Sequence, residues 1–174
     1  MAMQQYDANR DGTIDAEELK KSPPLMEAVE PSEIESHSPM DANGDRLLTE
    51  EEIRDRVADW LRSDTVVLTQ SAVITFNGTP LEGATVTFEP EEFLGPALVS
   101  CTAVTDRNGH AFPTGQDEKY PGLYVGLYRI RISKIVDGRE ILPACYHRET
   151  ILGKEIASDA PSTHRGLVFH LKGE

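Results

Sequence analysis

The chain has 174 residues, which is enough for one large domain or two small ones. Its 30 acidic residues outnumber 17 basic residues and give a net charge of −13, which excludes nucleic acids and anionic membrane surfaces as favoured partners and favours cations. No apolar run reaches the roughly 18 residues of a membrane-spanning helix, so no membrane insertion is expected in this segment.

The composition changes along the chain. Acidic residues are concentrated in the first 63 residues, whereas β-branched residues, tyrosine and glycine are concentrated in the rest. The sequence therefore predicts an α+β protein with two domains, a helical domain at residues 1–63 and an all-β domain at residues 64–174.

Oxygen-bearing side chains recur at every second position in residues 7–18, DANRDGTIDAEE. A Ca²⁺ ion takes about six to eight oxygen ligands, and a 12-residue EF-hand loop supplies them from positions 1, 3, 5, 7, 9 and 12, with glycine at position 6. Gly12 stands at position 6, where a sharp turn is needed. The predicted ligands of this first loop are Asp7, Asn9, Asp11, Thr13 through its backbone carbonyl, Asp15 and Glu18.

A second loop, residues 41–52 (DANGDRLLTEEE), repeats this layout. Its predicted ligands are Asp41, Asn43, Asp45, Leu47 through its backbone carbonyl, Thr49 and Glu52. Arg46 replaces the glycine at position 6, and a left-handed non-glycine residue costs about 1–2 kcal/mol. The second loop also has three acids among its predicted ligands where the first has four, so it is predicted to bind Ca²⁺ more weakly, with an empty second site as the alternative. Ile14 and Leu48 occupy position 8, where two such loops pair.

Short helices are expected around the loops. Residues 16–22 form a predicted exit helix that Pro23-Pro24 ends, and the first hand is predicted to be truncated before its loop. Residues 49–63 have a helical apolar period. The predicted apolar contacts are Leu25, Met26, Val29 and Ile34 in the linker, and Ile53, Val57, Trp60 and Leu61 on the last helix.

From residue 66 the apolar period changes to two, which is typical of strands. The turn signals Asn77-Gly78 and Asp137-Gly138 separate the apolar runs, and residues 146–165 are predicted to be a loop. The predicted strands lie within residues 66–76, 84–88, 97–105, 123–133, 141–142 and 166–171. About seven short strands without a helix predict an immunoglobulin-like β-sandwich.

Three segments of this second part occur in an order that suggests a family. TFNGTPLEGATVTFEP (75–90), AVTDRNGHA (103–111) and YPGLYVGLYRIRISK (120–134) resemble the signatures of carboxypeptidase regulatory-like modules. The resemblance implies a transthyretin-like β-sandwich with an adhesive, scaffolding or recognition role and no catalysis. The second part of the chain is also similar to modules of small exported bacterial proteins, so an extracytoplasmic location is expected. No signal peptide is visible in the chain.

Enzymes of related folds do not match the residues. The C-terminal tail of the hydroxyisourate hydrolases does not occur here, and His147, His164 and His170 lack the spacing of the iron-binding dioxygenases. The chain is therefore predicted not to be an enzyme. Cys101 and Cys145 are either buried thiols or one disulfide.

These patterns predict a calcium-binding, non-catalytic protein in which Ca²⁺ orders an EF-hand pair attached to a β-sandwich interaction module. The chain has no Met-rich stretch of the kind that calcium sensors expose, which favours a structural role for the ion. The alternative is a cell-envelope module that recognises a protein or a carbohydrate, with the EF-hands as a spacer. Its candidate contacts are Tyr120, Tyr124 and Tyr146.

Overall fold

Helices occupy the first part of the chain and strands most of the second. The structure, a computed structural model, describes residues 1–31, 39–63, 65–115 and 122–173. The predicted contact of Ile34 and the candidate Tyr120 lie outside these residues. The first part contains α1 (Ala2–Tyr6), β1 (Thr13–Ile14), α2 (Ala16–Leu19), α3 (Pro23–Ala28), β2 (Leu48–Thr49) and α4 (Glu50–Arg62).

The second part is rich in strands. In chain order it contains β3 (Val67–Leu68), β4 (Ala72–Phe76), β5 (Thr79–Pro80), β6 (Thr85–Pro90), β7 (Cys101–Val104), β8 (His110–Ala111), β9 (Leu123–Tyr124), β10 (Gly126–Ser133), β11 (Ile135–Val136), β12 (Arg139–Glu140), β13 (Leu152–Ile156), α5 (Pro161–Arg165) and β14 (Leu167–Leu171). No helix in the described ranges has the length and apolar character needed to cross a membrane.

Two larger sheets are formed by the described strands. The first sheet has the antiparallel order β13-β10-β6-β7. In the second sheet β14 runs parallel to β4, and β5 and β8 pair with β4 in antiparallel fashion. The α+β class is therefore confirmed, whereas the transthyretin-like type of sandwich stays a prediction.

Alternating side chains of both sheets fill one apolar core. Val86 and Phe88 of β6 and Ile130 of β10 are fully buried, and they cluster with Ile74 of β4 and Leu167 of β14. Buried and less buried residues alternate along most of β6 and β10, as expected from the apolar period of two.

The two predicted hairpin turns are confirmed. Asn77-Gly78 joins β4 to β5 and has φ values of 51° and 80°, and Asp137-Gly138 joins β11 to β12 with φ values of 49° and 74°. Asparagine, aspartate and glycine tolerate positive φ better than other residues do, so these turns follow from local sequence.

Some predicted boundaries are wrong. The exit helix ends at Leu19, and Pro23-Pro24 begins α3, where Ser22 caps the helix and a missing proline N–H is harmless. The interval predicted as a loop, residues 146–165, contains β13 and α5. From residue 65 on, the described residues form twelve strands instead of about seven. Residues 66–76 and 123–133 each divide into two strands, and β5, β8, β11, β12 and β13 lie outside the predicted ranges. The strand predicted at residues 141–142 does not form, because β12 ends at Glu140.

The helical part packs directly on the first sheet. The backbone of α3 lies against β13 so closely that a Cβ on Gly153 would be 2.1 Å from Pro24 N. A second apolar cluster joins Leu25, Trp60 and Ile14 to Leu127 and Ala157 of the strand-rich part. The division at residues 63–64 stays a prediction, but the two parts share this apolar cluster.

Two predicted apolar contacts do not form. Leu61 is 77% exposed and Met26 is 45% exposed, whereas Arg56 of α4 is 3% exposed. Arg56 therefore lies on the face of α4 that contacts the β-rich part. The apolar period of the sequence did not indicate that Arg56 is buried.

Candidate calcium sites

The first loop, residues 7–18, contains a buried oxygen atom without a partner. Asp7 Oδ2 accepts a hydrogen bond of 3.1 Å from Gly12 N, while Asp7 Oδ1 is buried and accepts none from the described residues. A buried carboxylate oxygen without a hydrogen bond is costly, and a bound cation removes this cost. Asp7 is the residue predicted to stand at position 1, so the donor set fits a calcium ion.

The next two predicted ligands shape the loop by hydrogen bonds to its backbone. Asn9 Oδ1 accepts from Asp11 N at 2.9 Å, and Asp11 Oδ1 accepts from Thr13 N at 2.9 Å. The Thr13 hydroxyl also donates to Asp11 Oδ1 at 2.7 Å. Hydrogen bonds from Thr13, with one from Asn9, lower the pKa of Asp11 and favour the charged carboxylate that a cation needs.

Glu18 at position 12 connects the two ends of the first loop. Its Oε1 accepts from Ala8 N at 2.7 Å and from Asn9 N at 3.3 Å, and its Oε2 accepts from Asp15 N at 3.1 Å. Asp15 in turn caps α2 by accepting from Glu17 N and Glu18 N. Asp15 at position 9 and Glu18 at position 12 therefore form a capping box, which holds the Glu18 carboxylate over the loop.

The second loop, residues 41–52, repeats these contacts. Asp41 Oδ2 accepts from Arg46 N at 2.8 Å, but Asp41 Oδ1 also accepts, from Gly44 N at 2.8 Å. Asn43 Oδ1 and Asp45 Oδ1 accept from the backbone N–H two residues further on. Glu52 forms a capping box with Thr49 on α4.

Both loops turn at positions 4 and 6 with positive φ. In the first loop these residues are Arg10 (φ 60°) and Gly12 (φ 91°), and in the second they are Gly44 (φ 76°) and Arg46 (φ 64°). The left-handed conformation of Arg46 is as predicted. However, Arg10 carries the same cost in the first loop, so strain at a left-handed arginine does not distinguish the two sites.

The loops are paired through their middle positions. Strands β1 and β2 align Ile14 with Leu48 and Thr13 with Thr49 in antiparallel register, and both apolar side chains are fully buried. This pairing confirms the prediction that the two loops pair through the residues at position 8. It also makes the two loops a single structural unit.

The complete ligand set stays a prediction. Among the described residues, no three His, Cys, Asp or Glu side chains come together as a metal-binding group. The structure instead shows each predicted acid of the two loops close to backbone N–H groups, with Asp7 Oδ1 as the unsatisfied atom. The residues that would hold calcium remain the twelve predicted from position.

Two polar clusters join the helical part to the first sheet, and the sequence did not indicate either. In the first, Tyr6 Oη and Ser22 Oγ donate to the buried carboxylate of Glu91, which follows β6. Burial, and then the contact with Glu91, raises the pKa of Tyr6 well above its usual value, so its hydroxyl stays a donor. Arg129 of β10 lies 3.5 Å from the same carboxylate.

The second polar cluster connects α4 to β13. Arg56 Nε donates to Glu155 Oε1 at 2.6 Å, and Trp60 Nε1 donates to the same oxygen at 2.8 Å. Two further bonds of 2.9 Å join the Arg56 guanidinium to Asp159. Burial alone would lower the pKa of Arg56, but the hydrogen bonds and charges of Asp159 and Glu155 raise it.

Within the described ranges, the other candidate tyrosines, histidines and cysteines give no observation that points to a binding or catalytic site. Tyr124 and Tyr146 are half-buried, and Tyr146 packs against the core of the sheets. His170 is exposed, with its Nδ1 2.9 Å from Thr75 Oγ1. Cys101 and Cys145 are both half-buried free thiols and form no disulfide with each other in this structure.

Comparison with known families matches the start of the chain. The family described as EF hand matches residues 2–21, which cover α1, the first loop and α2. Neither the comparison with characterised proteins nor the comparison with solved structures gives a significant match. The match suggests calcium binding at the first loop and leaves the resemblance to carboxypeptidase regulatory-like modules as a prediction.

Proposed function

We propose that this protein binds Ca²⁺ through its EF-hand pair and that the ion braces the pair against the β-rich part without taking part in catalysis. The observation that carries the proposal is the buried, unpartnered Oδ1 of Asp7 in a loop that matches the EF-hand family. When bound, calcium supplies positive charge that offsets the repulsion between the loop carboxylates.

A structural role for calcium, as a brace, fits the contacts better than a role in a calcium sensor. The helices of the pair are already buried against the first sheet by an apolar cluster and by the Glu91 and Glu155 contacts. A sensor would need to open this interface to expose a new surface. A recognition role for the strands and an extracytoplasmic location remain proposals that rest on the family resemblance.

Titration calorimetry of chelator-treated protein with Ca²⁺ and with Mg²⁺ tests the proposal. We expect saturable heat with Ca²⁺, tighter binding of Ca²⁺ than of Mg²⁺, and a higher thermal midpoint with calcium. Stabilisation follows RT ln(1 + [L]/Kd), or about 2.7 kcal/mol at a hundredfold excess over Kd. No heat and an unchanged midpoint at millimolar Ca²⁺ would contradict the proposal.

The Asp7→Asn variant tests the first loop in particular. The amide keeps the size of the side chain but removes its charge, so we expect loss of the tighter calcium site. Asp106→Asn is the matched control, because Asp106 makes comparable bonds to Asn108 N (2.8 Å) and His110 N (2.9 Å) in an exposed turn outside the loops. Equal calcium binding by both variants would show that Asp7 is not a ligand.

A further inference from the structure

Both ends of the first calcium loop are attached to one side chain of the β-rich part. Tyr6, immediately before the loop, donates its hydroxyl to Glu91 Oε2. Ser22, which lies between α2 and α3 beyond the end of the loop, donates to Glu91 Oε1 at 2.8 Å. A single buried carboxylate therefore fixes the distance between the entry and the exit of the loop.

Glu91 is itself fixed to the first sheet. Its backbone N donates to Leu127 O at 2.9 Å, and Arg129 Nη2 lies 3.5 Å from its Oε1. Arg129 Nη2 also donates to Lys21 O at 2.8 Å, which adds a bond to the segment after the loop. The carboxylate is 3% exposed, so its charge depends on these donors.

The short entry helix depends on these contacts. α1 has five residues and no side-chain cap, and isolated helices shorter than about 12 residues are marginal in water. Tyr6 packs edge-to-face against Phe93, with ring centroids 6.4 Å apart, in addition to its bond with Glu91. The position of Tyr6, and with it the position of Asp7, is therefore set by residues 91–93 of the β-rich part.

We propose that Glu91 is a positioning residue for calcium in the first loop: docking of the EF-hand pair on the sheet through Glu91 holds the loop in its binding conformation. This inference rests on the proposed function. A loop whose binding conformation is only partly populated has an apparent affinity reduced by that fraction. By linkage, calcium in the first loop strengthens the docking by the same factor.

Calcium titration of Glu91→Ala tests the inference, with Glu89→Ala as the matched control. Glu89 lies two residues before Glu91, on β6, carries the same charge and pairs with Arg131 at 2.6 Å. We expect Glu91→Ala to weaken the tighter calcium site about tenfold, the scale of one hydrogen bond to a charged group. Glu89→Ala is expected to stay within about twofold, the scale of a screened surface charge.

The Tyr6→Phe variant separates docking from charge. It removes one hydroxyl without changing the net charge and keeps the ring next to Phe93. We expect calcium binding about three- to tenfold weaker than in the unmodified protein. In the Glu91→Ala background the same change is expected to have little further effect, because its partner is already gone.

The calcium affinities of these variants decide whether Glu91 positions the first loop. Equal affinity of Glu91→Ala and the unmodified protein, or an equal loss in Glu89→Ala, overturns the role of Glu91. If Glu91→Ala does not fold by circular dichroism, Tyr6→Phe decides, and unmodified affinity in that variant overturns the inference. An unmodified protein that binds no calcium overturns the proposed function, which distinguishes the two failures.

Discussion

Arg56 of α4 is the residue whose replacement is expected to cost the most stability at the interface. Its side chain is 3% exposed and contacts Glu155, which is 2% exposed, and Asp159, which is 26% exposed. Arg56→Met keeps an apolar stem but removes the guanidinium that contacts the buried Glu155 carboxylate. Removing one partner of a buried ion pair costs about 3–5 kcal/mol.

A surface ion pair on the same helix serves as the comparison for the stability cost of Arg56→Met. Arg62 and Asp59 also form an ion pair, but their side chains are 72% and 42% exposed. Exposed pairs contribute about 0–1 kcal/mol, so Arg62→Met is expected to have little effect. The contrast isolates burial, because both variants lose one arginine charge from α4.

Urea unfolding monitored by fluorescence measures the difference. The sequence has one tryptophan, Trp60, whose indole donates to Glu155 in the folded protein, so its emission reports the interface. We expect the free energy of unfolding of Arg56→Met to fall by about 3–5 kcal/mol. Glu155→Gln is expected to cost less, because its amide oxygen still accepts from Trp60. A loss below 1 kcal/mol for Arg56→Met, or equal losses at Arg56 and Arg62, would refute the argument.

Three further predictions follow from single residues. Gly153→Ala places a Cβ 2.1 Å from Pro24 N, so we expect a loss of about 1–3 kcal/mol, measured by urea unfolding, and an unchanged midpoint would contradict the close contact. Arg46→Gly relieves a left-handed residue and is expected to stabilise the protein by about 1 kcal/mol in thermal unfolding; a lower midpoint would show that Arg46 makes a compensating contact. Burial opposes ionisation of Glu140, but hydrogen bonds from Ser133, Leu142 and Lys134 outweigh it and hold its pKa below the ordinary 4.5. Its contribution is therefore fully present above pH 4.5 and lost as the pH falls through the lower folded value, so the destabilisation by Glu140→Gln at pH 7 should disappear in acid.

The layout of the two candidate calcium loops could be predicted because it depends on neighbours in the sequence. Asp7, Gly12 and Glu18 interact within one loop, and the same local geometry places Asp41 and Glu52 in the second. The left-handed Arg10 was missed, since arginine gives no local signal for positive φ. Strand β13 was missed for a related reason: its Gly153, Lys154 and Glu155 lack the apolar alternation of a strand.

The sequence alone determined the layout of the two candidate loops, the pairing of Ile14 with Leu48, and the hairpin turns at Asn77-Gly78 and Asp137-Gly138. These features depend on backbone preferences and contacts that a short segment, or its repeat, carries within itself. The tertiary structure alone decided that Glu91 and Glu155 are buried. Their partners Tyr6 and Arg56 lie 85 and 99 residues away, and a charge is stable in an interior only where the fold supplies donors from such distant segments.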